Sequence, residues 1–260
     1  MTWWQAAILG LVQGLTEFLP VSSDGHLDLA KEVLGLSRSG VAFDVTLHVA
    51  TLSAVVVVYW RRLAELVGGT VRRDSAAWRY VGLLALATVP AGAAGVLLED
   101  YWAHEFSLGI VGVQFVATGF ILWSTRFVGP AATGDRLTMQ SAGLIGVAQA
   151  TALLPAISRS GTTVATGMWL GIDPVRAGEF SFLLSLPAIG GAAVLELPKL
   201  STEASGVSLA ALALGFGISL VSGILAIRWL LVLLRRRAFH RFAAYCWAVG
   251  AGTIIWSLAS

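Results

Sequence analysis

Residues 13–26 gather an unusual set of chemically active side chains in a chain that is otherwise apolar. The segment holds an amide, two carboxylates, three hydroxyls and an imidazole, carried by Gln13, Thr16, Glu17, Ser22, Ser23, Asp24 and His26. Gln13 and Glu17 are four residues apart, so a helix would place both on one face, where they could bind one ligand or a cation. The alternatives are an interhelical hydrogen bond for Gln13 and an ion pair between helices for Glu17.

A second polar segment, residues 155–163, has the chemistry of an anion site. It places one guanidinium, that of Arg159, among the hydroxyls of Ser158, Ser160, Thr162 and Thr163. Arginine offers a planar fork of donors that suits phosphate oxygens, and the free N–H groups at the start of a helix favour the same ligand. The alternative is an ordinary Ser/Thr helix cap beside an arginine that pairs with Glu17.

Together the two segments supply a carboxylate, an imidazole, candidate nucleophilic hydroxyls and a cationic cradle, which fits phosphoryl transfer. That reaction depends on positioning and on stabilising charge at the phosphoryl oxygens, and a hydroxyl beside a base is a common covalent route. A transporter or flippase for an anionic lipid would need Arg159 but has less use for Glu17, Ser23 and His26. The side chains therefore favour an enzyme, and they leave open whether Ser23, His26 or water attacks the phosphorus.

The composition predicts that these segments lie in a membrane protein. Of 260 residues, 57% are hydrophobic and 12% are charged, whereas about a quarter of the residues of a soluble domain are charged. The net charge of +2, with the basic residues in a few loops, excludes a nucleic-acid-binding stripe. The single cysteine, Cys246, excludes a disulfide framework and is predicted to be a small buried residue.

Six apolar runs approach the length of about 20 residues that a helix needs to cross a bilayer. They are residues 43–60, 80–98, 107–125, 180–197, 207–227 and 242–258. Two further runs, 3–19 and 142–154, stop at Pro20 and Pro155, and each precedes a polar segment and a second short helical piece, at 26–36 and 162–172. These pieces predict broken or re-entrant helices with polar tips; the alternative is two kinked spans.

Charge position predicts the orientation, because short cytoplasmic loops carry an excess of Lys and Arg. The loops after residues 60, 125 and 227 hold most of the arginines and are predicted to be cytoplasmic. The acidic loop at 99–105 and the linker at 198–206, with Lys199 its only basic residue, are predicted to lie outside. Both chain termini then lie outside as well.

The two interrupted runs also resemble each other. Gly10-x-x-Gln13 and the turn 19–25 align with Gly146-x-x-Gln149 and the turn 154–161, with small insertions and deletions. We therefore predict a single polytopic all-α membrane domain, residues 1–260, made of two repeats at about 1–128 and 140–260. Each repeat is a re-entrant helical hairpin followed by three transmembrane helices, and the odd number of spans inverts the second repeat, as in many transporters.

Residues 13–26 closely resemble the first signature of the bacterial undecaprenyl-diphosphate phosphatases. The resemblance rests on the run Gln13-x-x-x-Glu17-Phe18-Leu19-Pro20-Val21-Ser22-Ser23-x-Gly25-His26. The run Ser158-Arg159-Ser160-Gly161-x-Thr163 resembles the second signature of these enzymes, and residues 43–48 and 179–182 also resemble family stretches. The similarity therefore covers essentially the whole chain.

The resemblance implies hydrolysis of undecaprenyl diphosphate to the monophosphate carrier used for peptidoglycan and other envelope polymers, with bacitracin resistance as an associated property. It implies an inner-membrane protein whose active site opens towards the periplasm, a divalent cation such as Mg²⁺ or Ca²⁺, and a homodimer.

Residue roles follow from the same resemblance. The implied catalytic residues are Glu17 as base or cation ligand, Ser23 as nucleophile or orienting hydroxyl, His26 as acid, base or alternative nucleophile, and Arg159 as diphosphate clamp. The implied binding residues are Gln13, Ser22, Ser158, Ser160 and Thr163, and Gln13 joins Glu17 as a possible metal ligand.

Two residues depart from the family pattern. Asp24 replaces a small hydroxyl residue, which adds negative charge beside an anion site and could help to hold a cation. Ala156 replaces the usual glycine after Pro155, which puts the conformation of the second tip in doubt.

Overall fold

The structure is a computed structural model, and it describes residues 1–36, 41–97, 107–129, 137–202 and 207–259. The acidic loop at 99–105, which was used to predict orientation, lies outside these ranges, and so does Arg136 in the loop after residue 125. Within them every regular element is a helix. The α-helices are α1 (Trp3–Phe18), α2 (Ser23–Val33), α3 (Val41–Val58), α4 (Trp60–Val71), α5 (Ser75–Leu97), α6 (Leu108–Ser124), α7 (Met139–Thr151), α8 (Arg159–Trp169), α9 (Pro174–Thr202), α10 (Leu209–Arg235) and α11 (Phe242–Ala259).

The chain is a multi-pass membrane protein. Five helices in its described part, α5, α6, α9, α10 and α11, are long and apolar enough to cross a bilayer, and α3 with α4 would form a sixth, bent span. The predicted run at 43–60 is corrected in one respect, because a helix rather than a loop follows it. The chain bends by 77° between α3 and α4, and α4 buries Leu66 while Trp60 and Val67 stay exposed.

The two interrupted runs form hairpins of short helices. α1 ends at Phe18 and α2 begins at Ser23, and the two helices pack on each other. α7 ends at Thr151 and α8 begins at Arg159, and they pack on each other in the same way. α2 and α8 have 11 residues each. Each is followed by a glycine in the left-handed region, Gly35 (φ 62°) or Gly171 (φ 80°), which closes the last turn as glycine commonly does.

Each hairpin is packed against a long helix by a close backbone approach. α1 runs along α10, and a Cβ atom added at Gly10 would lie 2.6 Å from the carbonyl oxygen of Gly215. α7 runs along α5, and a Cβ atom at Gly146 would lie 2.5 Å from the carbonyl oxygen of Ala87. Only glycine fits at either position, and this packing brings the two polar tips together inside the helix bundle.

Candidate active site

The tips of the two hairpins are joined directly by hydrogen bonds. Ser22 Oγ and the backbone N–H of Gly25 both donate to the carbonyl oxygen of Pro155, at 2.5 and 3.0 Å. In the other direction, Ser160 Oγ donates to the carbonyl oxygen of Leu19 at 3.1 Å. These bonds satisfy backbone groups that the broken helices leave open, and they fix one polar tip against the other.

The second tip is also held by two polar residues of α6. Gln114 Oε1 accepts from the backbone N–H of Ala156 at 3.0 Å, and Thr118 Oγ1 donates to the carbonyl oxygen of Ala156 at 2.9 Å. Ala156 is fully buried and does not have a positive φ. The tip therefore forms without the glycine that is usual there, and the doubt raised by this departure is removed.

Glu17 is the centre of the polar cluster. Its side chain is 5% exposed, and one carboxylate oxygen, Oε1, is paired with Arg159 Nη2. The other oxygen, Oε2, accepts from Ser23 Oγ at 2.7 Å and from Gln13 Nε2 at 3.0 Å. The predicted sharing of one helix face by Gln13 and Glu17 is therefore confirmed, and a hydroxyl, a carboxylate and a guanidinium form one continuous chain of contacts.

Arg159 begins α8 and faces the first hairpin. Its side chain is 15% exposed, and Nη1 reaches the carbonyl oxygen of Ser181 on α9 at 3.4 Å. The ion pair with Glu17 that sequence reasoning named as an alternative is present. A buried ion pair of this kind gains little net stability, but the loss of one partner leaves the other charge buried and alone.

The hydroxyls around Arg159 are already hydrogen-bonded within the protein. Ser158 Oγ caps α8 by accepting from the N–H of Gly161 at 3.0 Å, and it lies 3.3 Å from Ser160 Oγ. Thr163 Oγ1 donates to the carbonyl oxygen of Arg159 and lies 2.7 Å from Ser181 Oγ. These residues line the neighbourhood of the guanidinium, and direct contact between them and a phosphate stays a prediction.

Ser22 and Ser23 differ in exposure and role. Ser22 is buried and has a φ of 69°, a conformation that costs energy for a residue with a side chain. Ser23, the first residue of α2, is partly exposed and reaches Glu17. The turn at Ser22 thus directs the hydroxyl of the next residue into the polar cluster.

His26 lies one helical turn beyond Ser22, and the partners of its ring nitrogens are neither Ser23 nor Glu17. Its Nδ1 atom is 2.7 Å from the carbonyl oxygen of Ser22, and its Nε2 atom is 2.8 Å from the hydroxyl of Tyr245 on α11. The structure therefore brings together Glu17, Ser23 and Arg159, and it places the fourth predicted catalytic residue beside them with other partners.

Asp24 is paired with a histidine of α3. Asp24 Oδ1 lies 3.4 Å from His48 Nε2. His48 Nδ1 lies 2.8 Å from the backbone carbonyl oxygen of Asp44, and the side-chain carboxylate of Asp44 is paired with Lys31 at 2.8 Å. The contact of His48 with the first tip is a finding of the structure.

Gln13 and Glu17 could hold a divalent cation. Gln13 Oε1 is buried without a hydrogen-bond partner in the described part of the chain, and amide and carboxylate oxygens are ligands that Mg²⁺ and Ca²⁺ prefer. Among the described residues no group of three or more His, Cys, Asp or Glu could hold a metal ion. The donor set fits an ion that takes its other ligands from substrate phosphates and water, as Mg²⁺ commonly does.

Four contributors to the site were missed from the sequence. They are Gln114, Thr118, Ser181 and Tyr245, which touch the second tip, Arg159 or His26. Ser181 lies in one of the stretches that carry the family resemblance, which was a usable signal. The other three are single polar residues in apolar helices, and no local pattern separates them from residues that pack the bundle.

One protein family matches a range of this chain that includes both polar segments. The family described as bacitracin resistance protein BacA matches residues 6–252. A protein of Salinibacter ruber named undecaprenyl-diphosphatase is 41% identical over 275 residues, which covers 99% of this chain and 100% of the relative. Relatives of the same name from Bacteroides thetaiotaomicron and Desulfatibacillum aliphaticivorans are each 36% identical, over 99% and 98% of this chain and 100% and 99% of their own. The chain therefore belongs to the bacitracin resistance protein BacA family.

Proposed function

We propose that this protein is an undecaprenyl-diphosphate phosphatase, which hydrolyses undecaprenyl diphosphate to undecaprenyl phosphate and inorganic phosphate. The observation that carries the proposal is the position of Glu17, which contacts a hydroxyl and a guanidinium at the same time. A nucleophile, a base and an anion clamp are the parts that phosphoryl transfer needs. The relatives that match over their full length are named undecaprenyl-diphosphatase, and this name indicates the substrate.

Substrate binding would use Arg159. The terminal phosphate is doubly charged near neutral pH and would compete with Glu17 for the guanidinium, whose fork of donors suits phosphate oxygens. Release of Glu17 from the ion pair leaves its carboxylate with Ser23 and Gln13. Phosphate binding would therefore prepare the base for its task while Arg159 stabilises the charge that grows on the phosphoryl oxygens.

The first chemical step would be attack by Ser23. Its Oγ atom already donates to Glu17 at 2.7 Å, so the proton has a place to go as the bond from Oγ to the terminal phosphorus forms. The bond between that phosphorus and the bridging oxygen breaks, and its electron pair leaves with undecaprenyl phosphate. The products of this step are phosphoserine, protonated Glu17 and the lipid monophosphate.

The second step would return the enzyme to its starting state. Glu17 first gives its proton to solvent or to the departing lipid phosphate, and then accepts a proton from a water molecule that attacks the phosphoserine. Ser23 Oγ leaves and is reprotonated, and inorganic phosphate departs. The sum of both steps consumes one water for each diphosphate.

Gln13 and Glu17 would hold a divalent cation. Mg²⁺ or Ca²⁺ supplies positive charge that neutralises phosphoryl oxygens. The support is the buried Gln13 Oε1 atom, which has no other partner among the described residues and lies on the helix face of Glu17.

Phosphate release by purified protein tests both proposals. In detergent with undecaprenyl diphosphate and Mg²⁺ or Ca²⁺, the protein is expected to release inorganic phosphate, and excess EDTA should stop the release until the cation is restored. A protein that moves the lipid across liposomes without releasing phosphate would contradict the enzyme. Release that EDTA leaves unchanged would contradict the cation site alone.

The finer architecture that we propose is a single domain of two inverted repeats. Corresponding features recur with residue numbers that differ by 136: helix-capping Thr2 and Thr138, close-packed Gly10 and Gly146, and left-handed Gly35 and Gly171. The packing of the two repeats is also equivalent. Helix α1 of the first repeat lies on α10 of the second, and α7 of the second repeat lies on α5 of the first. Three spans follow each hairpin, and this odd number inverts the second repeat.

We propose that the protein lies in the inner membrane with its active site open to the periplasm. The support is the clustering of arginines between particular spans, because arginine-rich connections are expected in the cytoplasm.

Cysteine labelling in spheroplasts tests this orientation. Native Cys246 is buried, so Ala259→Cys at the end of α11 should react with a membrane-impermeant maleimide, and Arg236→Cys after α10 should react only after permeabilisation. The reverse pattern would overturn the orientation.

A further inference from the structure

We propose that Tyr245 is a positioning residue for the phosphatase reaction, which acts through His26 on the turn that presents Ser23. This inference rests on the proposed function. Tyr245 belongs to α11, in the second half of the chain, whereas His26, Ser22 and Ser23 belong to the first hairpin. No sequence motif includes Tyr245, and its assignment depends on the geometry alone.

The hydrogen bonds define the state of the His26 ring. Nδ1 lies 2.7 Å from the carbonyl oxygen of Ser22, and a carbonyl oxygen only accepts, so Nδ1 carries the proton. In the neutral ring Nε2 then has the free electron pair and accepts the hydroxyl proton of Tyr245 at 2.8 Å. Both ring nitrogens therefore have hydrogen-bond partners, and neither partner is Ser23.

Packing holds the ring in the same place. The ring of Tyr245 stacks on His26 with an interplanar angle of 8° and a centroid distance of 5.6 Å. Phe115 of α6 meets the same imidazole edge-on at 85° and 5.0 Å. The ring is thus fixed by two aromatic contacts and two hydrogen bonds, which is more restraint than a residue that only fills space requires.

The restraint reaches the nucleophile through the backbone. His26 donates to the carbonyl oxygen of Ser22, the residue with a φ of 69°, while Ser22 Oγ is tied to Pro155. Such a conformation persists when its surroundings determine it. The next residue, Ser23, then meets Glu17 at 2.7 Å. Arg159 is anchored separately by Glu17 and Ser181, so a looser Ser22 turn should affect the chemical step more than substrate binding.

The variant Tyr245→Phe tests the inference, because it keeps the ring and removes the hydroxyl. We expect kcat to fall about 10-fold with KM within about twofold, since misplacement by about 1 Å can cost up to about 100-fold. Tyr59→Phe is the matched control, because the Tyr59 hydroxyl is buried without a hydrogen-bond partner in the described chain. Its kcat should equal that of the wild type.

The second readout is the nitrogen spectrum of ¹⁵N-histidine-labelled protein, assigned with His26→Gln. In the wild type the protonated nitrogen of His26 should be Nδ1, and Tyr245→Phe should move the Nε2 resonance to higher frequency as its hydrogen bond is lost. An unchanged spectrum, or an unchanged kcat, in Tyr245→Phe would overturn the positioning role. Wild-type protein that releases no phosphate would refute the proposed function, and the spectrum would still report on the contact between Tyr245 and His26.

Discussion

Replacement of Arg159 by alanine is expected to lower kcat/KM for phosphate release from undecaprenyl diphosphate by about 1,000-fold or more. The guanidinium is the cation of the cluster formed by Glu17, Ser23 and Gln13, and arginines that stabilise a transferring phosphoryl group are worth about 10³ to 10⁵ in kcat. Removal of the side chain also leaves Glu17, 5% exposed, without its ionic partner. Steady-state kinetics with purified protein in detergent would measure the loss.

Loss of folding must be separated from loss of chemistry, because breaking a buried ion pair destabilises a protein by about 3–5 kcal/mol. Arg159→Lys keeps the positive charge beside Glu17 but lacks the planar fork, and it should fold while losing about 100-fold in kcat/KM. Arg241→Ala, an exposed arginine after α10, is the matched control and should retain full activity. Near wild-type kinetics in a folded Arg159→Lys protein would refute the clamp.

Replacement of Ser23 by alanine should be as damaging, because it removes the hydroxyl that we assign as the nucleophile. We expect kcat to fall by more than about 1,000-fold while the protein still binds substrate through Arg159. Glu17→Gln should reduce kcat by a comparable factor, since an amide cannot accept the proton of Ser23. Ser53→Ala is the matched control, because Ser53 Oγ donates only to a carbonyl of its own helix, α3.

The double variant makes this prediction sharper. Residues that act as one unit in a reaction lose activity in a strongly non-additive way. The Ser23→Ala/Glu17→Gln protein should therefore be about as slow as Ser23→Ala alone. If the two losses multiplied, Ser23 and Glu17 would be acting in separate steps, and the assignment of Glu17 as the base for Ser23 would be wrong.

The membrane fold followed from the sequence because its signals are local. Long apolar runs and two prolines after apolar helices are enough to predict helices and interruptions, and α1, α2, α7 and α8 bear this out. The bend between α3 and α4 was missed, since the run 43–60 continues into Arg61 and Arg62, which were interpreted as a loop. Those charges instead belong to a helix that lies at 77° to α3.

The candidate site could be predicted where its polar residues lie close together in the sequence. It could not be predicted where it depends on residues of helices that are distant in the sequence. Gln13 and Glu17 share a helix face because they are four residues apart. Ser23 lies only six residues after Glu17, at the start of the next helix. The pairing of His26 with Tyr245 spans 219 residues, and no spacing rule connects them. Sequence reasoning therefore left His26 with the roles of acid, base and nucleophile, whereas the geometry turns it towards Ser22 and Tyr245.

The most direct test of the account is to find where the phosphate is held during turnover. Wild-type protein would be mixed with undecaprenyl diphosphate labelled in its terminal phosphate, stopped on the millisecond scale in neutral detergent that preserves both phosphoserine and phosphohistidine, and digested for mass spectrometry. We predict label on Ser23, and none in Ser23→Ala. Label on His26, or phosphate released at the wild-type rate by Ser23→Ala, would contradict the account.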